Sequence, residues 1–434
     1  MSAEDRGLSV YVHLPFCARK CHYCDFNSRP APDAERARYL DALKLEIDRR
    51  GEILGGSNVR TVFFGGGTPT VYEGEELAGV LGSVAGPLPP APALPCATND
   101  IARAGRGGNR ATAISPPPAP PLRSGEGEGT APSVVRRKGF QPVGRPAEIT
   151  CEANPETVDP TKLRALREAG FNRMSIGAQS FSDGELAMLG RGHCASQTEA
   201  AVEAARAAGF ANVSLDLIYA LPGQTVQSWC ETLTRALALR PEHLSAYGLE
   251  LAEGTVLFDR WARGEIEPVG ESEHLAMREL TLELCERAGL RRYELSNYAL
   301  PGRECAHNMT YWRNEPYLGL GAGAWSYLDG VRSENLREPA EYIEALEGGA
   351  SPTAYRERLD LDDALMEALM MGLRMTAGLE CAALERTFGP GRVEAMMVRA
   401  RPLEEMGLVD LRGGRIRLTA AGEPLHSEVC VRLL

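Results

Sequence analysis

Long apolar runs, a basic excess and a paired-cysteine framework are all missing from these 434 residues. No stretch approaches the roughly 18 uninterrupted apolar residues of a membrane-spanning helix, so no span is expected, and only peripheral membrane contact stays open. With 47 basic against 59 acidic side chains the net charge is −12, which gives no electrostatic footprint for nucleic acid. The opening residues, MSAEDRGLSVYVHLPF, carry acids and no apolar core behind basic residues, so they do not read as a secretory leader. Of 11 cysteines, three crowd together at Cys17, Cys21 and Cys24 while the others are scattered singly, which argues for a reducing cytoplasm rather than a disulfide scaffold. A composition of 44% hydrophobic and 24% charged residues is that of a globular protein, at this length of two or three domains, and leaves monomer or dimer open.

From Leu8 to Glu250 short apolar or β-branched runs alternate with longer amphipathic stretches, the pattern of repeated βα units. LSVYVHL (Leu8 to Leu14) alternates like a strand, Arg38 to Leu54 has apolar residues at helical spacing, and VRTVFFGGGTPT (Val59 to Thr70) is a strand running into a glycine loop. Strand patterns return in AEITCEANP (Ala147 to Pro155), FNRMSIGAQSF (Phe171 to Phe181), FANVSLDLIYALPGQ (Phe210 to Gln224) and EHLSAYGLEL (Glu242 to Leu251). Six such units predict a partial (β/α)6 barrel with its functional loops at the C-terminal ends of the strands. The rhythm is interrupted at about 86–145 by a stretch dominated by Pro, Ala, Gly and Ser, expected to be a disordered insertion because it buries too little apolar surface to offset its ordering entropy.

The predicted organisation is a barrel over 1–265, a flanking segment over 266–355 and a C-terminal α+β region over 356–434. The middle segment contains the aromatic, glycine-rich HNMTYWRNEPYLGLGAGAWSYL (His307 to Leu328). In the last, helical patterns precede GLVDLRGGRIRLTAAG (Gly407 to Gly422), two strands joined through Gly413 and Gly414, a winged-helix-like pattern.

Three thiols at CxxxCxxC spacing directly after the first strand call for metal chemistry. Zinc normally takes four tetrahedral protein ligands, and His13 or His22 could supply the fourth, so a zinc-stabilised binding protein is one reading. A 4Fe-4S cluster held by three cysteines leaves one iron open to a small-molecule ligand. The glycine loop Gly65 to Thr70 lets backbone groups approach such a ligand closely.

Tyr11 to Phe26, YVHLPFCARKCHYCDF, with FFGGGTPT, EANP, SIGAQSF, LGR and DLIYALPGQT, resembles the radical S-adenosylmethionine family, in its oxygen-independent coproporphyrinogen III oxidase branch. The resemblance spans nearly the whole chain outside the insertion. It implies that Cys17, Cys21 and Cys24 bind three irons, while the amine and carboxylate of S-adenosylmethionine chelate the fourth. Reduced, such a cluster donates one electron and cleaves the sulfonium to a 5'-deoxyadenosyl radical. By matching motifs, Tyr11 and Tyr23 would flank the cofactor, Gly67 and Thr68 would contact its methionine end, and Glu152, Gln179, Arg191 and Asp216 would line the rest. The residue types suit those roles: carboxylates accept from an amine or ribose hydroxyls, and a guanidinium pairs with a carboxylate.

Within the branch, the oxidases continue CxxxCxxCxC and carry an extension ahead of the first strand that contributes to the active site. Here Phe26 stands two residues after Cys24, and only ten residues precede Tyr11; both count against oxidase activity. The heme chaperones of the branch lack both features and carry an HNxxYW motif, matched by His307, Asn308, Tyr311 and Trp312. That likeness implies heme as ligand, His307 as a residue that meets it, and respiratory hemoproteins as acceptors.

Overall fold

The computed structural model describes residues 7–86 and 147–433. The insertion expected at about 86–145 lies outside the described residues except for Gly86. Six strands, β1 (Leu8–Leu14), β2 (Val59–Gly66), β3 (Glu148–Ala153), β4 (Arg173–Gln179), β5 (Val213–Tyr219) and β6 (His243–Gly248), pair in parallel in chain order. Helices connect them, as the alternating sequence pattern requires. Asp159 shows how local chemistry starts one: its carboxylate accepts from the amides of Thr161 and Lys162 at 2.7 and 3.0 Å. Pro160 then occupies the first helical position, and Gly170 ends the helix in a left-handed conformation. The first helix begins at Asp33, five residues ahead of the predicted Arg38, because Pro32 and the acids Asp33 and Glu35 make a good first turn.

The period of two divides each barrel strand into two faces. Val10, Val12, Val62, Phe64, Ile149, Cys151, Met174, Ile176, Leu215, Leu217 and Leu244 form the buried apolar face on which the helices pack. The alternate positions are mostly polar and line the lumen: Ser9 and Tyr11, Thr61, Glu148 and Glu152, Arg173 and Ser175, Ser214 and Asp216, His243 and Ser245.

Beyond Gly248 the chain extends the same sheet at both ends. β7 (Arg291–Arg292) and β8 (Asn297–Ala299) add antiparallel strands beside β6. β9 (Tyr317–Leu320) pairs in parallel with β1, followed outward by β10 (Trp325–Leu328), β11 (Val331–Asn335) and β12 (Thr353–Arg358). The C-terminal part packs helices around its own core of Leu369, Leu384, Met396, Ile416 and Val429. There β13 (Leu379–Glu380), β14 (Val409–Asp410) and β15 (Arg415–Leu418) form a small antiparallel sheet, and the two strands expected on either side of Gly413 and Gly414 pair as β14 and β15. Glu423 anchors this part by accepting from Arg278 and Arg292. Among the described residues, no helix is long and apolar enough to cross a membrane.

Candidate functional site at the strand ends

Cys17, Cys21 and Cys24 stand in the loop that leaves the C-terminal end of β1. The loop is tied at its neck: the Cys17 amide donates to Arg29 O at 3.1 Å and the Arg29 amide to Pro15 O at 2.9 Å. Lys20 Nζ donates to the carbonyls of Phe26 and Ser28, at 2.7 and 3.0 Å. The glycine loop clamps the same neck, with Gly67 N donating to Leu14 O and Thr68 N to Phe16 O, both at 2.8 Å. A Cβ on Gly67 would lie 2.5 Å from Phe16 O and 2.7 Å from Leu14 O, so the missing side chain serves this backbone approach. Burial pushes the Cys17 thiol pKa up, opposed by hydrogen bonding from Thr68 and Ser28.

Arg191 brings the next loops to the cysteines. Its Nη1 donates to Cys21 Sγ at 3.4 Å, and its Nη2 to Asn154 Oδ1 at 2.6 Å and Gly177 O at 2.8 Å. Asn154 Nδ2 in turn donates to Thr68 Oγ1 at 3.0 Å, so the glycine loop, the EANP turn, β4 and the cysteine loop share one polar junction. Tyr23 packs against Leu189, Ile218, Leu221 and Leu257. Gln179 ends β4 in the left-handed region, φ 62°, after an irregularity in its pairing with β5. Such strain in a side-chain-bearing residue is typical of ligand sites.

Deeper in the lumen lie Glu152 and Asp216. Glu152 accepts from the Gly66 amide at 3.3 Å. Three serines from three strands, Ser175, Ser214 and Ser245, donate to Asp216 at 3.0, 3.4 and 2.7 Å. Burial, reinforced by Asp216, pushes the Glu152 carboxyl up to about 8. Burial also raises Asp216, opposed by the hydroxyl of Ser245 and by Arg173. Among the described residues neither carboxylate has an ion-pair partner within 4.0 Å, and Arg191 Nε is buried without a hydrogen-bond partner. Two enclosed acids facing a lumen, a guanidinium with a spare donor and three thiols at the rim form a donor set that fits an iron–sulfur cluster and a cationic sulfonium amino acid. Of the two histidines that could complete a zinc site, His13 has both ring nitrogens engaged, and His22 Nδ1 lies 2.8 Å from Met188 O.

Tyr11 stands beside these acids. Its phenol, raised by burial and by Glu152, remains protonated and donates to His13 Nδ1 at 3.1 Å. His13 is held neutral by burial, and its Nε2 donates to Asn27 O at 3.0 Å, in the cysteine loop. On the other side of Tyr11, toward the start of the strands, lies His307, with ring centroids 6.3 Å apart. It sits in the helix Ala306–Trp312, which packs against β2 among the residues that begin the strands. The residue is 1% exposed, with Nδ1 2.8 Å from Thr61 Oγ1 and Nε2 2.9 Å from Tyr311 Oη. As folded, neither ring nitrogen is presented to a heme iron. Asn154, Arg173 and the three serines escaped the sequence reading. The cue was there: a polar residue at every second position of strands whose other face is apolar.

The model of the Radical SAM superfamily matches residues 11–101 and 122–236, and that of the HemN C-terminal domain matches 359–425. The chain is 31% identical over 421 residues to the heme chaperone HemW of Bacillus subtilis, covering 97% of each. It is 33% identical to that of Mycobacterium tuberculosis, covering 98% of this chain and 94% of the relative. In fold it is similar to Escherichia coli coproporphyrinogen III oxidase (HemN), with a TM-score of 0.76 at 23% identity over 99% of this chain and 90% of the other. With cysteine loop, glycine loop and lumen acids disposed around one barrel mouth, the chain belongs to the HemW family of radical S-adenosylmethionine proteins.

Proposed function

We propose that this protein is a cytoplasmic heme chaperone, which binds heme and hands it to acceptor hemoproteins, respiratory ones by family. The observation that carries this reading is the match over 97% of both chains to a relative named a heme chaperone. Phe26 supports it: where the oxidase pattern has a fourth cysteine, an aromatic ring stands 66% exposed on a cavity of about 320 Å³ lined also by Arg29 and Arg337. An exposed aromatic on such a cavity suits a flat apolar macrocycle.

In this reading Cys17, Cys21 and Cys24 hold a 4Fe-4S cluster, and Tyr11, Tyr23, Thr68, Glu152, Gln179, Arg191 and Asp216 surround S-adenosylmethionine. When bound, the pair supplies one-electron reductive chemistry at the sulfonium. The chain's own residues set the conditions for it. Glu152 and Asp216 offer carboxyl oxygens to a cationic ligand, whose charge favours the ionised form of Glu152, Arg191 fixes the loop at Cys21, and the Tyr11–His13–Asn27 relay holds the cysteine loop against β1. The test is a heme titration and a coproporphyrinogen III turnover assay on the same anaerobically reconstituted sample. Stoichiometric heme binding, with transfer to an apo-hemoprotein and no decarboxylation, is expected; formation of protoporphyrinogen would overturn the chaperone reading in favour of the oxidase.

A further inference from the structure

The helix Ala306–Trp312 carries the HNxxYW motif, and every polar or aromatic contact it makes turns inward to the barrel or toward the C-terminal part. The amides of Ala306 and His307 both donate to Glu148 at 3.0 Å. Thr310 Oγ1 lies 2.8 Å from Ser9 Oγ. The His307 ring stacks on Phe63 at 5.0 Å and 26°, and Phe63 stacks in turn on Tyr11 at 6.1 Å and 28°. Tyr311 closes the other side, edge-on to His307 at 5.2 Å and to Tyr317 at 4.8 Å. Trp312 lies beneath the Arg374 guanidinium, 4.5 Å away, and Arg374 pairs with Glu294 at 3.2 Å.

A residue that serves as an axial heme ligand must turn one ring nitrogen to the iron. In His307 both are committed, one donating and one accepting, between Thr61 and Tyr311. Releasing either would leave a buried hydroxyl unpaired and open the stack under Tyr11. We propose that His307 is a positioning residue of the S-adenosylmethionine site, supporting the Phe63–Tyr11 stack from beneath, and that it gives no ligand to heme iron. This rests on the reading that the chamber of Tyr11, Glu152 and Asp216 receives S-adenosylmethionine.

The test uses the full chain, reconstituted anaerobically, with S-adenosylmethionine affinity from calorimetry and heme affinity and Soret position from one titration. His307→Ala should weaken S-adenosylmethionine binding about tenfold, the scale of a lost buried hydrogen-bond pair, while heme affinity and Soret position stay as in wild type. His307→Gln, which can bridge both hydroxyls, should recover part of the loss. Thr61→Val separates the two roles without touching the ring. It frees Nδ1, so a heme-ligating His307 would bind heme as well or better with S-adenosylmethionine binding unchanged, whereas a positioning His307 loses S-adenosylmethionine affinity. If His307→Ala fails to fold, the Gln and Val variants decide the matter. Variants that bind S-adenosylmethionine as tightly as a binding-competent wild type, or that lose heme, overturn the proposal. A wild type that binds no S-adenosylmethionine removes the chamber reading and the proposal with it.

Discussion

Glu152 shows how one residue couples folding, pH and binding. Burial lifts its carboxyl from an ordinary 4.5 to about 8, so between those values the folded chain holds a proton that the unfolded chain has released. Stability then falls as pH rises through this window. Glu152→Gln should flatten that slope, read from urea unfolding between pH about 5 and 8. A cationic ligand prefers the ionised carboxylate, so S-adenosylmethionine affinity of the wild type should rise with pH through about 8, and that of the Gln variant should not. His307 acts in the opposite sense. Burial and Arg173 lower it from 6.5 to about 3, so its contribution to stability is lost as pH falls below about 6.5. Acid unfolding of His307→Gln should therefore be shallower in that range. Arg191 offers three directed donors that no lysine reproduces. Arg191→Lys should weaken S-adenosylmethionine binding about tenfold in calorimetry.

At the scale of elements, the glycine loop is clamped to the neck of the cysteine loop backbone to backbone, with Lys20, Arg191 and His13 adding side-chain ties. Gly67→Ala would drive a methyl into the carbonyls of Leu14 and Phe16, which cannot rotate away, so a loss of about 1–3 kcal/mol in unfolding and a lower retained iron content are expected. Gly79 is the matched control: it faces open space on the helix Gly74–Ala85, and Gly79→Ala should stabilise by roughly 0.5–1 kcal/mol with iron content unchanged. The six barrel strands were legible because alternation with period two and helical spacing are local signals, readable within about ten residues. The lumen was less legible. Ser175, Ser214 and Ser245 are ordinary strand residues in their own segments, and only the registers of β4, β5 and β6 bring them to one carboxylate.

On the scale of the whole molecule, long-range ion pairs join the C-terminal part to the barrel. Arg332 of β11 pairs with Glu367, and Glu423 accepts from both Arg278 and Arg292. Glu423→Gln leaves two largely buried guanidinium groups short of a counter-charge and should cost about 2 kcal/mol, with faster hydrogen exchange over 361–433. Spacing along the chain by itself determined the repeated βα units of the parallel barrel and the clustering of the three cysteines, because each is read within a single segment, whereas Glu152, Gln179, Arg191 and Asp216 were singled out only through the family resemblance. It could not decide the place of His307. Read locally, HNMTYW is a histidine among aromatics and fits an axial ligand as well as a core residue. Only the folded chain sets Thr61, 246 positions away, against one ring nitrogen and Phe63 against the ring face. A side chain's availability depends on partners brought by long-range packing, and no local pattern records them.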